Sequence, residues 1–438
     1  MKKEAKGRFW LALTVFSLAG QVAWVVENMY FNVFIYNMFR ATAADIAAMV
    51  AASAVTATLT TVLIGALSDK LGRRKLFICG GYILWGISIF AFVFLRTELL
   101  SPLAASAAAA ASLGVTLAIV LDCVMTFFGS SANDAAFNAW LTDAAAGKNR
   151  GLAEGINAMM PLVSILVVFG GFMFLDLSLA DSWVTVFSVI GTAVILIGIL
   201  GFFVIDEPSV SPAEGSYLGG IVYGFRPSTV RGNASLYLAL SAFVVFNISI
   251  QIFMPYLIIY YEVSLRMTDY VLIMAPAIIL ASVATVFFGK FYDKKGFTRS
   301  TATALLLLLL GYIILYFTRT TVPVFLGSLL MMSGYLAGMA VFGALIRDTT
   351  PVGKAGRLQG VRIFAQVLVP GIIGPYIGQA VLADAPLIEN GDGTTSFVPS
   401  ADIFLAAAAV LLLVLPLFFA VARRLRIRTS EEGKNQAE

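Results

Sequence analysis

The sequence predicts an all-α polytopic membrane protein, with twelve transmembrane helices arranged as two pseudo-symmetric six-helix bundles. Three observations lead there. Of the 438 residues, 60% are hydrophobic and only 12% are charged, whereas a typical soluble domain carries about 25% charged residues. That is too little charge to cover a soluble surface, so lipid is the expected solvent. Apolar runs close to the ~20 residues that a span requires alternate with short charged or turn-forming clusters, and two polar tracts recur at fixed offsets.

The expected spans of the first bundle lie at 9–38, 43–68, 75–95, 113–141, 154–177 and 182–204. Those of the second lie at 234–262, 268–291, 300–317, 322–346, 359–383 and 402–422. Lys2, Lys3, Lys6 and Arg8 precede the first run, which continues to Phe39. It is far longer than the apolar core of a signal peptide, so a retained span is expected. The weakest boundary is the Ala-rich stretch Ala104–Ala111 before the fourth span. Residues 205–233, rich in Gly, Ser and Pro, read as a linker between a bundle at 1–204 and a second at 234–438, which ends in a basic tail. Helices are expected because barrel strands would be shorter and would alternate in hydropathy.

Lys and Arg set the orientation. With the N-terminus inside, 25 of the 29 basic residues fall in cytoplasmic segments, leaving Arg40, Arg96, Arg266 and Arg319 outside. Both termini are therefore expected in the cytoplasm, and the acidic tract ADAPLIENGDGTTSFVPSAD before the last span is expected to be an outer loop. The plasma (inner) membrane is the expected location.

Several classes of function are excluded or disfavoured. The absence of histidine rules out a Ser-His-Asp triad, a His-ligated zinc and an imidazole relay. Cys79 and Cys123 each sit in an apolar run, so no disulfide framework is encoded. The net charge of +4 comes in short clusters without a basic domain, which argues against nucleic acid. There is no P-loop Gly-x-x-x-x-Gly-Lys-Ser/Thr and no loop large enough for a catalytic domain, so neither an enzyme nor a primary pump is expected.

The tract GALSDKLGRRK, Gly65 to Lys75, interrupts two apolar runs, and GKFYDKKGFTR, Gly289 to Arg299, echoes it. Gly65, Asp69 and Gly72 match Gly289, Asp293 and Gly296 at an offset of 224. WLTDAAAGKNRGLAEG likewise answers LIRDTTPVGKAGRLQG, with Asp143 matching Asp348 and Gly155 matching Gly360 at an offset of 205. Glycines at 65 and 72 permit close helix approach and a sharp reversal. A carboxylate at its own helix C-terminus is disfavoured, so Asp69 is expected to face a neighbouring helix N-terminus or an arginine. Here the chain resembles the major facilitator superfamily, whose signature Gly-x-x-x-Asp-(Arg/Lys)-x-Gly-Arg-Arg-(Arg/Lys) is met by Gly65, Asp69, Lys70, Gly72, Arg73, Arg74 and Lys75. The resemblance spans residues 9 to 422 and implies alternating access between two bundles. It also implies a conformational latch that involves Asp69 and a helix-eleven partner, Arg357 or Arg362, together with Arg73, Arg74, Asp143, Arg150, Asp293 and Asp348. The loop from Asp143 through Lys148, Arg150, Glu154 and Gly155 looks most like the glycoside-pentoside-hexuronide cation symporters. Residues 46–68 lack the acidic residues that this group commonly carries in helix two, which argues against a sodium site of that kind.

Charges inside a membrane are costly, so each is a functional candidate. Glu27 lies mid-span with Asn28 and Asn32 nearby, and burial suits it to carrying a proton; the competing role is packing against a neighbouring helix. Ser130, Asp134 and Asn138 fall at i, i+4 and i+8 with Asn133 beside them, a polar face expected to line a cavity; the competing role for Asp134 is pairing with an inner-loop cation. Asp122 lies deeper and ranks with Glu27 for coupling. In the second half, Asn247 and Gln251 precede Pro255, which is expected to break its helix, and Arg362 with Gln366 forms another i, i+4 pair. Interhelical hydrogen bonding is the competing role for these four. Trp24, Tyr256 and Tyr335 are candidates to stack on a sugar ring.

These readings converge on a secondary transporter of a small-molecule substrate, monomeric and without a cofactor. The leading expectation is proton-coupled import of a sugar or similar polar solute. A proton-driven exporter of drugs or amphiphiles is the alternative, but the exporter tract Gly-x-x-x-Gly-Pro-x-x-Gly-Gly is missing from helix five, where only Pro161, Gly170 and Gly171 occur; a partial likeness, GIIGPYIG, begins at Gly371. A lipid flippase or a membrane sensor are further alternatives.

Overall fold

The computed structural model describes residues 3–144, 150–206, 222–267, 269–351, 355–390 and 394–435. Some side chains within helices are not described, among them those of Asp69, Arg150 and Arg357. Among the described residues, ten helices are long and apolar enough to cross a membrane. Backbone amides have no partner in hydrocarbon other than their own helix, which is why the apolar runs adopt this form.

The chain forms two compact units, Met1–Ile221 with Leu387–Phe397, and Val222–Pro386 with Val398–Glu438. The first holds α1 (Lys3–Phe39), α2 (Ala43–Leu71), α3 (Arg74–Ala91), α4 (Ala107–Gly129), α5 (Asn138–Ala144), α6 (Arg150–Phe172) and α7 (Ala180–Val204). A π-helical segment, Ser130–Phe137, joins α4 to α5. The second unit holds α8 (Ala234–Phe253), α9 (Tyr270–Phe317), α10 (Thr321–Thr349), α11 (Ala355–Ile363), α12 (Val369–Val381), α13 (Asp402–Leu412) and α14 (Val414–Asn435).

The ten helices differ from the twelve expected spans at two places. The fifth run forms the helix Arg150–Phe172, of which Met159–Phe172 is the apolar stretch among the described residues. The eighth and ninth runs both lie within α9, whose 48 residues are interrupted at Gly296, where φ is 73° and ψ is 177°. Its counterpart Gly72, with φ 63° and ψ 17°, caps α2 in the left-handed region and donates its N–H to the Ser68 carbonyl. Both duplicated tracts thus turn on a glycine at positive φ.

A second repeated device was not anticipated. Arg40 and Arg266, 226 positions apart, are the positive-φ residues other than glycine among the described residues, at 55° and 53°. Arg96 and Arg319 stand 223 positions apart, each just beyond a helix end, and both turn back onto carbonyls there. Arg96 Nε donates to Val93 at 3.1 Å, and Arg319 Nη1 donates to Leu315, Tyr316 and Thr318 at 2.7 to 3.2 Å. The sparse arginines of the expected outer face therefore serve as helix terminators, satisfying carbonyls that a helix leaves open.

Close packing in the first unit runs along small residues. Gly86 on α3 and Gly191 on α7 face one another so tightly that a Cβ on either would fall 2.6 to 2.9 Å from the other's carbonyl oxygen. In the second unit, a Cβ on Gly311 or Gly334 would lie 2.6 Å from the Cα of Met331 or Leu308. Backbone proximity of this kind is what holds helices together where lipid competes for apolar contact. Gly65 plays no such part: its missing Cβ faces Ala135 at 3.8 Å, an ordinary contact, and the close approach to that segment is made by Gly81 against Ala132 at 2.6 Å. The expectation of close packing at Gly65 is corrected accordingly.

Helix ends follow local chemistry. Thr42 and Asp45 form a reciprocal capping box at the start of α2. Between α6 and α7, Asp176 accepts from the Ser178 hydroxyl at 2.6 Å and from its N–H at 3.0 Å, which holds the Asp176 carboxyl below the ordinary carboxylate range. The tract expected as an outer loop contains a hairpin instead, β1 (Leu387–Glu389) against β2 (Thr395–Phe397), with Leu387 opposite Phe397. It belongs to the first unit, where the Tyr36 hydroxyl donates to the Phe397 carbonyl at 2.7 Å and the two rings meet edge to face.

Backbone geometry alone ranks three substitutions. Gly296→Ala occupies a region open almost only to glycine and is expected to destabilise by about 1–3 kcal/mol, while Gly72→Ala costs about 1–2 kcal/mol. Gly65→Ala, in a regular helix with room for a methyl, is neutral or stabilising by about 0.5–1 kcal/mol. Thermal midpoints of the purified variants should fall in that order, and a Gly65→Ala loss as large as that of Gly296→Ala would refute it.

Candidate functional site

Buried polar groups of the first unit gather on α1, α2, α4 and the π-helical segment. Glu27, 7% exposed, accepts at Oε1 from the Ser53 hydroxyl at 2.7 Å and from the Thr126 hydroxyl at 2.9 Å. Ser53 and Thr126 are themselves 3.0 Å apart, so three helices meet at one carboxylate oxygen. The Glu27 Oε2 atom is buried without a partner. Asp122, one turn before Thr126 and 1% exposed, has Oδ1 in the same condition. Asp122 belongs to the same cluster through its helix, since Thr126 one turn on donates to Glu27. Unpaired buried oxygens are expensive, and here they mark a place built to receive a proton or another donor.

The π-helical segment sets the second half of this site. Such widened turns recur at functional positions because they offset side chains from the α-helical stripe. Ser130 donates to Asp134 Oδ2 at 3.1 Å and Asn133 Nδ2 donates to Oδ1 at 3.2 Å, while Asn133 Oδ1 lies 2.9 Å from the Tyr82 hydroxyl. Ser130, Asn133 and Asp134 are therefore brought together. Within the expected i, i+8 stripe, Ser130 and Asp134 meet, while Asn138 is exposed and donates to the Asp134 carbonyl at 3.2 Å. The inner-loop cation weighed as a partner for Asp134 lies outside the described residues.

Asn28 and Asn32 also part company. Asn28 is exposed and donates to the Trp24 carbonyl at 2.7 Å, whereas Asn32 is 1% exposed with its Oδ1 unpaired. In the second unit, α8 breaks into a 3₁₀ turn at Met254–Tyr256, as Pro255 predicts, and a π-helical segment follows at Tyr260–Ser264. Asn247 is buried but donates to its own helix at the Phe243 carbonyl, 2.8 Å away, and Gln251 packs over Gly374. Arg362 ends α11, and Gln366 lies in a π-helical segment, Phe364–Leu368, so the two are not spaced by a regular turn. Tyr256 is fully buried with its hydroxyl on the Pro375 carbonyl at 3.2 Å, which removes it as a stacking platform.

At the end of α2 the duplicated tract builds a buried tie. Arg74, 4% exposed, donates from Nη1 to Ser68 Oγ at 2.7 Å and from Nε to Asp143 Oδ2 at 3.2 Å, and Ser68 donates to the Gly65 carbonyl at 3.0 Å. Arg74 thereby joins α2, α3 and α5. In the second unit the same tie has a different chemistry. Tyr292, at the position equivalent to Ser68, donates directly to Asp348 Oδ2 at 2.8 Å, with no arginine between them. Arg73 and Asp293 are exposed. The expected pairings of Asp69, Arg150 and Arg357 lie outside the described residues. Ser53, Thr126, Tyr82, Ser68 and Tyr292 were missed from sequence; a hydroxyl in an apolar run, or at a duplicated position, was the available signal.

A double-mutant cycle tests the tie. Arg74→Gln and Asp143→Asn should be coupled by about 1–3 kcal/mol in thermal or denaturant unfolding, whereas Tyr292→Phe should cost about 1 kcal/mol. Strict additivity of the first pair would show that the contact contributes nothing of its own.

Residues 9–375 match the Major Facilitator Superfamily. No curated protein sequence matches the chain. Among solved structures, a bacterial homolog to the human lysosomal transporter Spinster, inward-facing and occupied, shares the fold with a TM-score of 0.68 at 16% identity, over 97% of this chain and 98% of that one. The nucleoside transporter NupG gives 0.68 at 12% identity, over 94% and 98%. The xylose transporter XylE from E. coli, inward open and partially occluded, gives 0.66 at 16% identity, over 94% and 98%. With its apolar helices, its glycine turn at the Gly65–Lys75 tract and this match over most of its length, the chain is an integral membrane protein that belongs to the Major Facilitator Superfamily.

Proposed function

We propose that the protein is a proton-coupled secondary transporter that imports a sugar or similar small polar solute by alternating access. The observation that carries the coupling is the Glu27 and Asp122 pair, each with a buried oxygen that has no partner. No cation contacts the pair among the described residues, and carboxyls inside a membrane are rare and mark proton or ion pathways. Each unit by itself offers polar side chains to a polar solute, Asn32 and Asn133 in the first and Asn247, Gln251, Arg362 and Gln366 in the second, and the names of NupG and XylE, a nucleoside and a xylose transporter, are in keeping with it.

The accompanying architecture is twelve spans, with α9 contributing two on either side of Gly296, in bundles at 1–204 and 234–438 joined by a linker at 205–233. Both termini face the cytoplasm of a plasma membrane protein that acts as a monomer. The latch residues Gly65, Asp69, Gly72, Arg73, Arg74, Asp143 and Arg150, with Asp293, Asp348 and Arg357, control the inner ends of the helices.

Reconstituted protein should accumulate its solute only under an inward proton gradient. Glu27→Gln and Asp122→Asn should retain solute binding, read as ligand-induced thermal stabilisation, while uptake falls to the equilibrating level. Full accumulation by both variants would remove the pair from coupling. Stabilisation by cationic amphiphiles alone would replace the importer with the exporter.

A further inference from the structure

The first unit carries a cavity of about 510 Å³ away from the polar cluster, lined by Phe94, Arg96, Glu98, Leu99, Leu179 and Asp181 among others. Its position in the fold is informative. The apolar helix Arg74–Phe94 stops at this cavity and the apolar helix Ala180–Val204 starts at it, so it lies at the level where hydrocarbon gives way to headgroups. Its wall has two chemistries. Phe94, Leu99 and Leu179 are 60%, 51% and 55% exposed, three large apolar side chains on one short stretch of surface. Arg96, Glu98 and Asp181 provide both signs of charge beside them.

Arg96 and Asp181 form only a loose, solvent-exposed ion pair, which contributes little in water. Arg96 Nη1 stands 3.9 Å from Asp181 Oδ1, beyond hydrogen-bond reach, and the Asp181 side chain is 96% exposed. Arg96 Nε is held on the Val93 carbonyl at 3.1 Å, which orients its guanidinium without using the terminal nitrogens. A rigid cation that matches phosphate geometry therefore sits near two carboxylates that can accept from a primary ammonium, above an apolar wall.

We propose that this cavity binds an aminophospholipid such as phosphatidylethanolamine: the phosphate on Arg96, the ammonium on Glu98 and Asp181, and the upper acyl chains on Phe94, Leu99 and Leu179. A primary ammonium donates hydrogen bonds to the carboxylates, and a quaternary choline does not. An anionic headgroup meets two like charges. The site is independent of the transported solute and of the proton pair.

Native mass spectrometry of the full chain with phosphatidylethanolamine, its N-methyl and N,N-dimethyl derivatives, phosphatidylcholine and phosphatidylglycerol tests the proposal with wild-type protein. Retention of a bound lipid should fall stepwise with methylation, by about fivefold across the series given the small energies of exposed charge pairs. Glu98→Gln combined with Asp181→Asn should flatten the series, and Arg96→Gln should lower retention of every headgroup alike. A flat series for the wild type identifies ordinary annular lipid and overturns the proposal. Preference for phosphatidylglycerol reduces the site to an anion contact at Arg96 and also overturns it, as does a methylation series that persists in the double variant.

Discussion

Hydrocarbon offers no hydrogen-bond partner, and the rest of this structure follows from how the chain meets that constraint. Backbone groups are satisfied by helices, and the exceptions are placed where a side chain or a close neighbour can compensate. Ser249 bridges the Ala407 carbonyl and the Tyr312 hydroxyl, Trp183 donates to the Leu177 carbonyl, and Tyr36 holds the hairpin by a carbonyl. The buried atoms left without a partner include hydroxyls and indole nitrogens such as those of Thr58 and Trp85, and among them the oxygens of Glu27 and Asp122 belong to carboxyls. A packing role for Glu27 would need only the bonds from Ser53 and Thr126. The second oxygen is what a purely structural role leaves unexplained.

The duplicated organisation is carried by devices of different legibility. The glycine turns at Gly72 and Gly296 were readable because a fixed spacing of Gly, Asp and Gly recurs between apolar runs. The Pro255 break was readable because proline cannot continue the hydrogen-bond ladder. The arginine terminators were not, since Arg40 and Arg266 enter a backbone region that sequence gives no reason to assign to arginine. Charge asymmetry explained why so few cations lie on that face, but it was silent on what the few do.

The polar cluster shows the same division. Residue type alone made Glu27, Asp122 and Asp134 candidates, because charge in an apolar run is costly wherever it points. Their grouping depended on helix phase, and there the α-helical period misled. The π-helical segment Ser130–Phe137 draws Asn133 into the Asp134 network and leaves Asn138 outside it. Likewise Gly65 matched a signature position, yet the tight contact falls at Gly81, because a signature records a position and packing depends on the neighbour opposite.

The unequal tie at the ends of the repeated tracts has a mechanical meaning. In the first unit a buried guanidinium is gripped from two sides, so the ends of α2, α3 and α5 move as one strut. In the second, a single phenol touching Asp348 at the surface works as a pivot: it can swivel about its own ring axis while the contact persists. The two similar tracts thus carry ties of different stiffness, each within its own unit.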